Sequence, residues 1–200
     1  DIFSSDYMEY CDNIILENCT LNDYFKITLN NYICFKNCKQ KNRGGLTGSS
    51  NNIDIINCNF KYVNLDGIKV NGISNINIID STIESFYTNH FYGNGIINIR
   101  NSKFDEMTIV PEIYQLNLIS GKCTSDLAQS ILAANINLGT FEFATTPIFG
   151  DSSIIVDRVG LSSKQVYDEN NKQYIKDYIA NDNNTLTESD KKSNLEFHLK

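Results

Sequence analysis

Apolar and polar residues alternate in short segments that recur along the first 120 residues of the chain. The clearest copy is Asn52-Ile-Asp-Ile-Ile-Asn-Cys-Asn-Phe60. An alternation of period two predicts a β-strand with one buried face. The Cys or Ser near the end of each copy lies at positions 19, 38, 58, 81 and 102, so the spacings are 19, 20, 23 and 21 residues. A period near twenty predicts a repeat protein with one such strand in every turn. The other copies begin at Asn13, Tyr32, Asn75, Ile96 and, more weakly, Gln115.

The end of each copy predicts a corner in the chain. Asn, or Asp80 in one copy, ends the strand and tolerates the left-handed backbone region. Stacked at the strand spacing of about 4.8 Å, such coils form a continuous core that one coil alone cannot bury. We therefore predict an all-β parallel β-helix with coils of 19–23 residues over residues 1–160, and a polar C-terminal cap, linker or tail over residues 161–200. A leucine-rich repeat is the alternative, but it requires fixed leucines and a helical half, and this sequence has neither.

The segments between the copies predict further elements. Residues 25–29 and 65–70 have strand patterns, and residues 39–50 are polar and contain glycine, which predicts a loop or a widened corner. Residues 85–94 form an aromatic-rich excursion. We predict a helical turn over residues 127–134 and a short helix over residues 164–179, which a weak capping box precedes.

Charge and cysteine usage narrow the range of functions. The net charge is −7 and no basic cluster is present, which argues against a nucleic-acid partner. No apolar run is long enough to span a membrane. Cys19, Cys38 and Cys58 share one repeat position, which favours stacking of small side chains, with disulfides as the alternative. We expect no metal site, because no CxxC occurs and no histidine accompanies the cysteines at zinc spacing.

The repeated motif Asn-Ile-x-Ile-x-Asn-Cys/Ser-x-Phe resembles the coil signature of the pectate-lyase-like superfamily over roughly residues 13–120. That superfamily of right-handed parallel β-helices includes pectin-active enzymes, bacteriophage tailspikes and surface adhesins. The resemblance implies a right-handed solenoid at an extracellular, cell-surface or virion-surface location. Asn64-Leu-Asp-Gly-Ile68 is also similar to an active-site segment of polygalacturonase-type glycoside hydrolases, which would make Asp66 a catalytic acid. The paired aspartates and the Gly-His-Gly segment that this family has in later coils do not occur in the expected stretch.

Acidic residues of the regular region are the candidates for catalysis. An inverting glycosidase needs two carboxylates on opposite sides of the scissile bond. Asp66, Asp80 and Glu84 are the candidate acids, and Arg100 with Asp54 could imitate a lyase site. The structural alternatives are a corner residue for Asp80, turn chemistry for Asp66 and a solvated outward side chain for Asp54.

Aromatic residues of the excursion are the candidates for binding. Phe86, Tyr87, His90 and Tyr92 could stack on the apolar faces of sugars. The alternative is that Phe86 simply packs against the solenoid.

These observations favour a non-catalytic structural or adhesive module of a tailspike, fibre or adhesin. Its predicted partners are surface polysaccharide, a host receptor, or other copies of the chain in a homo-oligomer or filament. The alternative is a carbohydrate-active enzyme, a polysaccharide hydrolase or lyase. We expect no cofactor for the structural module, whereas a lyase of this fold could use calcium.

Overall fold

The computed structural model describes residues 2–3, 7–9, 12–21, 24–41, 45–66, 75–89, 95–156, 166–168 and 173–175. These residues contain seventeen strands and no helix, and hence no helix that could cross a membrane. The strands are β1 (Ile2–Phe3), β2 (Tyr7–Glu9), β3 (Asn13–Glu17), β4 (Thr20–Leu21), β5 (Phe25–Lys36), β6 (Lys39–Gln40), β7 (Leu46–Ile56), β8 (Asn59–Asp66), β9 (Asn75–Ile79), β10 (Thr82–Asn89), β11 (Gly95–Arg100), β12 (Ser102–Thr108), β13 (Ile113–Cys123), β14 (Asn135–Phe143), β15 (Ser153–Val156), β16 (Val166–Asp168) and β17 (Gln173–Ile175).

Parallel pairing between successive turns arranges β1–β15 on three faces of a solenoid of about six turns. Face A contains the strands of the repeated motif, with Ile33, Ile53, Ile76 and Ile97 in register. Face B follows the corner and pairs β4, β6, β8, β10 and β12. Face C aligns five buried residues, namely Phe25, Leu46, Val63, Phe86 and Met107. The predicted all-β parallel solenoid is therefore confirmed.

The corners between faces A and B have the predicted backbone. In the described residues, positive φ outside glycine occurs only at the five predicted corner positions. Neighbouring corner amides also bond to one another, as where Asn57 Nδ2 donates to Asn37 Oδ1 at 2.8 Å. Asparagine therefore forms the corner with its backbone and links coils with its side chain. The φ values are 57° at Asn18, 54° at Asn37, 50° at Asn57, 51° at Asp80 and 55° at Asn101.

The Cys or Ser residues after the corners form a row, in which Cys38, Cys58, Ser81 and Ser102 are buried and Cys19 is partly exposed. The backbone N–H of Cys38 donates to Cys58 Sγ at 3.4 Å, and the N–H of Cys58 donates to Ser81 Oγ at 3.0 Å. The N–H of Ser81 donates in turn to Ser102 Oγ at 3.1 Å. All five cysteines in the described chain are free thiols, in agreement with the stacking interpretation.

A second row of polar side chains lies outside face A and was not predicted. Side-chain amides donate from each coil to the preceding one, with N···O distances of 2.7–2.8 Å. The row ends at Asp54, whose other carboxylate oxygen accepts from the Tyr32 hydroxyl at 2.8 Å. The interpretation of Asp54 as a merely solvated side chain is therefore wrong, because its carboxylate is half-buried and accepts two hydrogen bonds, from Asn77 and Tyr32. We call Asp54, Asn77, Asn98, Asn117 and Asn137 the outer amide row.

Several local predictions are wrong. Residues 127–134 form no helical turn, because Gln129, Ile131 and Ala133 are buried with the period of a strand and Ile131 bridges to Ile109. Within residues 164–179, β16 and β17 form an antiparallel pair where a helix was predicted. Residues 46–50 and 85–89, predicted as parts of a loop and an excursion, belong to β7 and β10. Of the predicted strand over residues 65–70, residues 67–70 lie outside the described chain.

Candidate functional site

Two tyrosines lie together on the outer surface where face B meets face C. Tyr62 in β8 and Tyr87 in β10 belong to neighbouring coils, and their ring centroids are 5.5 Å apart with a 39° tilt. Both side chains are half-buried. A Cβ atom at Gly45 would lie 2.4 Å from Tyr62 Cδ1, so the glycine lets the ring rest against the preceding coil. Two aromatic rings are thus fixed on the surface with part of their area open to solvent.

Hydrogen bonds hold the polar edges of both rings. The Tyr87 hydroxyl donates to Glu106 Oε2 at 2.6 Å, a charge-assisted bond. Asn64 Nδ2 donates to the Tyr62 hydroxyl at 3.2 Å, and Asn89 Nδ2 donates to Asn64 Oδ1 at 2.8 Å. We call Tyr62, Asn64, Tyr87, Asn89 and Glu106 the tyrosine platform. Its rings and polar groups come from three successive coils, so the stacking of the solenoid determines its geometry.

The Glu106 carboxylate also changes the titration of Tyr87. The hydrogen bond to Glu106, followed by burial and by the negative charge of Glu106, raises the pKa of the Tyr87 hydroxyl. The hydroxyl therefore stays protonated at neutral pH and acts as a donor. The exposed carboxylate of Glu106 retains acceptor capacity for a ligand hydroxyl.

Only one of the four predicted binding residues has a described position on the platform. Tyr87 lies there, whereas Phe86 is fully buried and its ring centroid is 5.8 Å from that of Phe104. Phe86 therefore cannot contact a surface ligand, and the packing alternative holds for this residue. His90 and Tyr92 lie outside the described residues.

The candidate catalytic residues occupy separate structural positions. Asp80 is a corner residue, and its carboxylate accepts from Asn101 Nδ2 at 2.9 Å. Glu84 forms an ion pair with Lys61. Arg100 is the exposed last residue of β11, and its carbonyl accepts from the backbone N–H of Asp80 at 3.0 Å. Asp66 is the last residue of β8, and its side chain lies outside the described part of the structure.

A shallow depression of about 350 Å³ lies beside the corner on face B. Gly121 forms part of its wall, and a Cβ atom there would lie 2.1 Å from a backbone oxygen of the preceding coil. Lys103 and Lys122 line the depression together with Asp80 and Glu142. This mixture of two cations and two acids selects no single class of ligand by charge. Within the described chain, no group of three or more His, Cys, Asp or Glu side chains could hold a metal ion.

The chain is an all-β protein of the parallel β-solenoid class. No protein-family model, curated protein or solved structure matches it. Its class is therefore defined by its own repeat and strand pairing.

Sequence reasoning missed Tyr62, Asn64 and Glu106 as partners of Tyr87. A usable signal was present, because Tyr62 and Glu106 occupy the equivalent outward position one coil before and one coil after Ser85. Reading the outward positions of three coils side by side would have brought these residues together.

Proposed function

We propose that this chain is a non-catalytic structural and adhesive module, a stiff right-handed β-helix of the pectate-lyase-like type that contacts surface glycans. The single observation that carries the proposal is the tyrosine platform. A module of this kind would act in an appendage at a cell or virion surface, like the tailspikes and adhesins that the sequence resembles.

The platform has the chemistry that sugar binding requires. The C–H faces of a pyranose ring pack on aromatic faces, and Tyr62 and Tyr87 supply two neighbouring rings. Sugar hydroxyls need donors and acceptors at the edge of such a ring. The Glu106 carboxylate supplies acceptors, while the amides of Asn64 and Asn89 supply both kinds of group. Because hydrogen bonds already fix these groups, a ligand loses little affinity to ordering of the side chains.

The positions of the described acids support binding over catalysis. An inverting glycosidase requires one free acid and one free carboxylate facing each other. Asp80 is bonded within a corner and Glu84 is paired with Lys61, so each has a structural partner. A rigid surface that binds without turnover needs no such pair.

A glycan-binding assay with a matched tyrosine control tests the proposal. The full chain is applied to an array of surface polysaccharides and oligosaccharides, and the dissociation constant of the best ligand is measured by calorimetry. The double variant Tyr62→Ala with Tyr87→Ala should weaken binding about tenfold or more, because the two rings at about 0.5–1.5 kcal/mol each should together contribute about 1–3 kcal/mol. Tyr114→Ala, at a tyrosine that is 52% exposed on β13, should leave the affinity unchanged.

The outcomes separate the adhesive module from the enzyme. Equal losses in the platform variant and in Tyr114→Ala would show that the platform is not the binding site. Binding to no glycan would remove the adhesive part of the proposal. Release of new reducing ends or unsaturated products from any polysaccharide would select the hydrolase or lyase instead.

A further inference from the structure

Two cysteine thiols of the row that follows the corners, those of Cys38 and Cys58, lean toward the preceding coil. Cys38 Sγ donates to the carbonyl of Leu16 at 3.2 Å, so it points toward the coil that contains Cys19. Cys58 Sγ donates to the carbonyl of Phe35 at 3.4 Å and leans in the same direction. The Cys38 thiol is therefore directed toward the coil that contains Cys19.

The strand register places the Cα atoms of Cys19 and Cys38 at a separation that a disulfide can span. The N–H of Lys39 donates to the carbonyl of Cys19 at 3.0 Å, and Thr20 pairs in register with Lys39. Parallel strands in register lie about 4.8 Å apart. That separation falls inside the range of about 4.4–6.8 Å that disulfides span between Cα atoms.

We propose that Cys19 and Cys38 form a redox-controlled crosslink between two successive coils, with a small disulfide as the oxidant. Access to solvent selects this pair over Cys38 and Cys58. Cys19 is partly exposed, whereas Cys38 and Cys58 are only 2% and 4% exposed. An oxidant in solution therefore meets Cys19 first.

The chemistry is two thiol–disulfide exchanges with glutathione disulfide. The Cys19 thiolate attacks one sulfur of glutathione disulfide, forms a mixed disulfide and releases one glutathione thiolate. The Cys38 thiolate then attacks the Cys19 sulfur and releases the second glutathione thiolate. Two protein thiols are oxidised, one glutathione disulfide is reduced, and the two thiol protons pass to the released glutathione and the buffer.

The environments of the two thiols fit these roles. The Cys38 thiol leans toward the coil of Cys19, which places it to act as the second nucleophile. Burial raises the pKa of Cys19, so the first exchange should be slow at neutral pH and faster at mildly alkaline pH.

Peptide mapping of the oxidised full chain tests the crosslink. The Cys11→Ser protein is incubated with glutathione disulfide at mildly alkaline pH, alkylated and digested with trypsin without reduction. Cys11 is replaced because it shares the tryptic peptide of residues 1–26 with Cys19. We expect a linked product of residues 1–26 and 37–39, and a thermal midpoint roughly 5–10 °C above that of the reduced protein.

Serine variants supply the controls, because Ser81 and Ser102 already occupy this row. Cys38→Ser should abolish both the linked peptide and the thermal shift, and Cys58→Ser should retain them. A link between Cys38 and Cys58, a stable glutathione adduct on Cys19, a disulfide between two chains or unreacted thiols would each overturn the proposal.

Discussion

Asp54 sets the direction of the outer amide row, and reversing that direction is a stringent test of the structure. A carboxylate only accepts hydrogen bonds at neutral pH, so Asn77 must point its Nδ2 toward Asp54 and its Oδ1 toward Asn98. Asn98→Asp places a second acceptor on the other side of Asn77. In either orientation of the Asn77 amide, its Oδ1 then faces a carboxylate oxygen, either that of residue 54 or that of residue 98.

The structure allows the size of this conflict to be worked out. Asn98→Asp removes the 2.8 Å bond to Asn77 and sets two oxygens against each other in a half-buried row. Loss of one bond and desolvation of one unpaired group should cost about 1–3 kcal/mol. Asp54→Asn alone should cost under about 1 kcal/mol, because its oxygen still accepts from Asn77 and the Tyr32 hydroxyl can rotate to accept.

The double variant should restore the row by reversing part of it. With Asp54→Asn present, the Asn77 amide can turn over, donate to the carboxylate at position 98 and accept from the new amide at position 54. The Tyr32 hydroxyl can still donate to that amide, so every group regains a partner. Asp54→Asn should therefore rescue Asn98→Asp by about 1–2 kcal/mol.

Urea unfolding followed by circular dichroism measures the four proteins of this cycle. Asn59→Ala, at an exposed asparagine of β8 outside the row, is the control and should change stability by less than about 0.5 kcal/mol. Additive effects of the two row variants, within about 0.5 kcal/mol, would refute the directional row.

Three further changes test other parts of the structure. Phe35→Ala removes a fully buried ring that packs edge to face against Phe25 of the same strand and Phe60 of β8, and should cost about 3–5 kcal/mol in urea unfolding; a loss under about 1 kcal/mol would contradict this packing. Gly48→Ala places a Cβ 1.8 Å from a carbonyl oxygen of the preceding coil at a φ of 117°, so it should cost at least about 2 kcal/mol, and an unchanged midpoint would disprove that contact. The hydrogen bond to Asp54, with burial second, raises the pKa of Tyr32, so this contribution to stability is complete below the unfolded value of about 10 and is lost as the pH rises above it. Asp54→Asn should lower the pKa of Tyr32 in a tyrosinate absorbance titration, and an unchanged titration would refute the coupling.

The fold could be predicted because the repeat encodes it locally. Each copy carries its own alternation, corner residue and small inward residue, so no long-range information was needed to place faces A and B. Positive φ at Asn57 and Asp80 follows from side-chain chemistry alone. The helical predictions failed because short segments such as residues 127–134 carry a weak periodic pattern, and contacts between coils decide their structure.

The tyrosine platform can be predicted only by comparing several coils, because no single copy of the repeat contains it. Tyr62 and Tyr87 are separated by a coil of irregular length, so one copy of the repeat does not show that their rings meet. Pairing in register between β8 and β10 brings the rings together, and the missing Cβ of Gly45 leaves room for one of them. Both are properties of stacked coils, which the repeat signature does not specify.

The direction of the side-chain hydrogen bonds from asparagine gives a structural explanation for Asp54 and Asp80, two acids that were considered for catalysis. Two rows share one direction of bonding, namely the outer amide row and the row of corner side chains at positions 18, 37, 57, 80 and 101. In each hydrogen bond along them, the donor amide lies in the later coil and its acceptor in the earlier one. Asp80 and Asp54 each accept from an asparagine of the next coil, a role that an acceptor-only group can fill. Each acid therefore completes a polar row that links successive coils. A one-residue slip in register would turn buried side chains outward, and these rows oppose such a slip. The same stacking brings Tyr62, Tyr87 and Glu106 of three coils together, so the geometry of the platform depends on the register that these rows support.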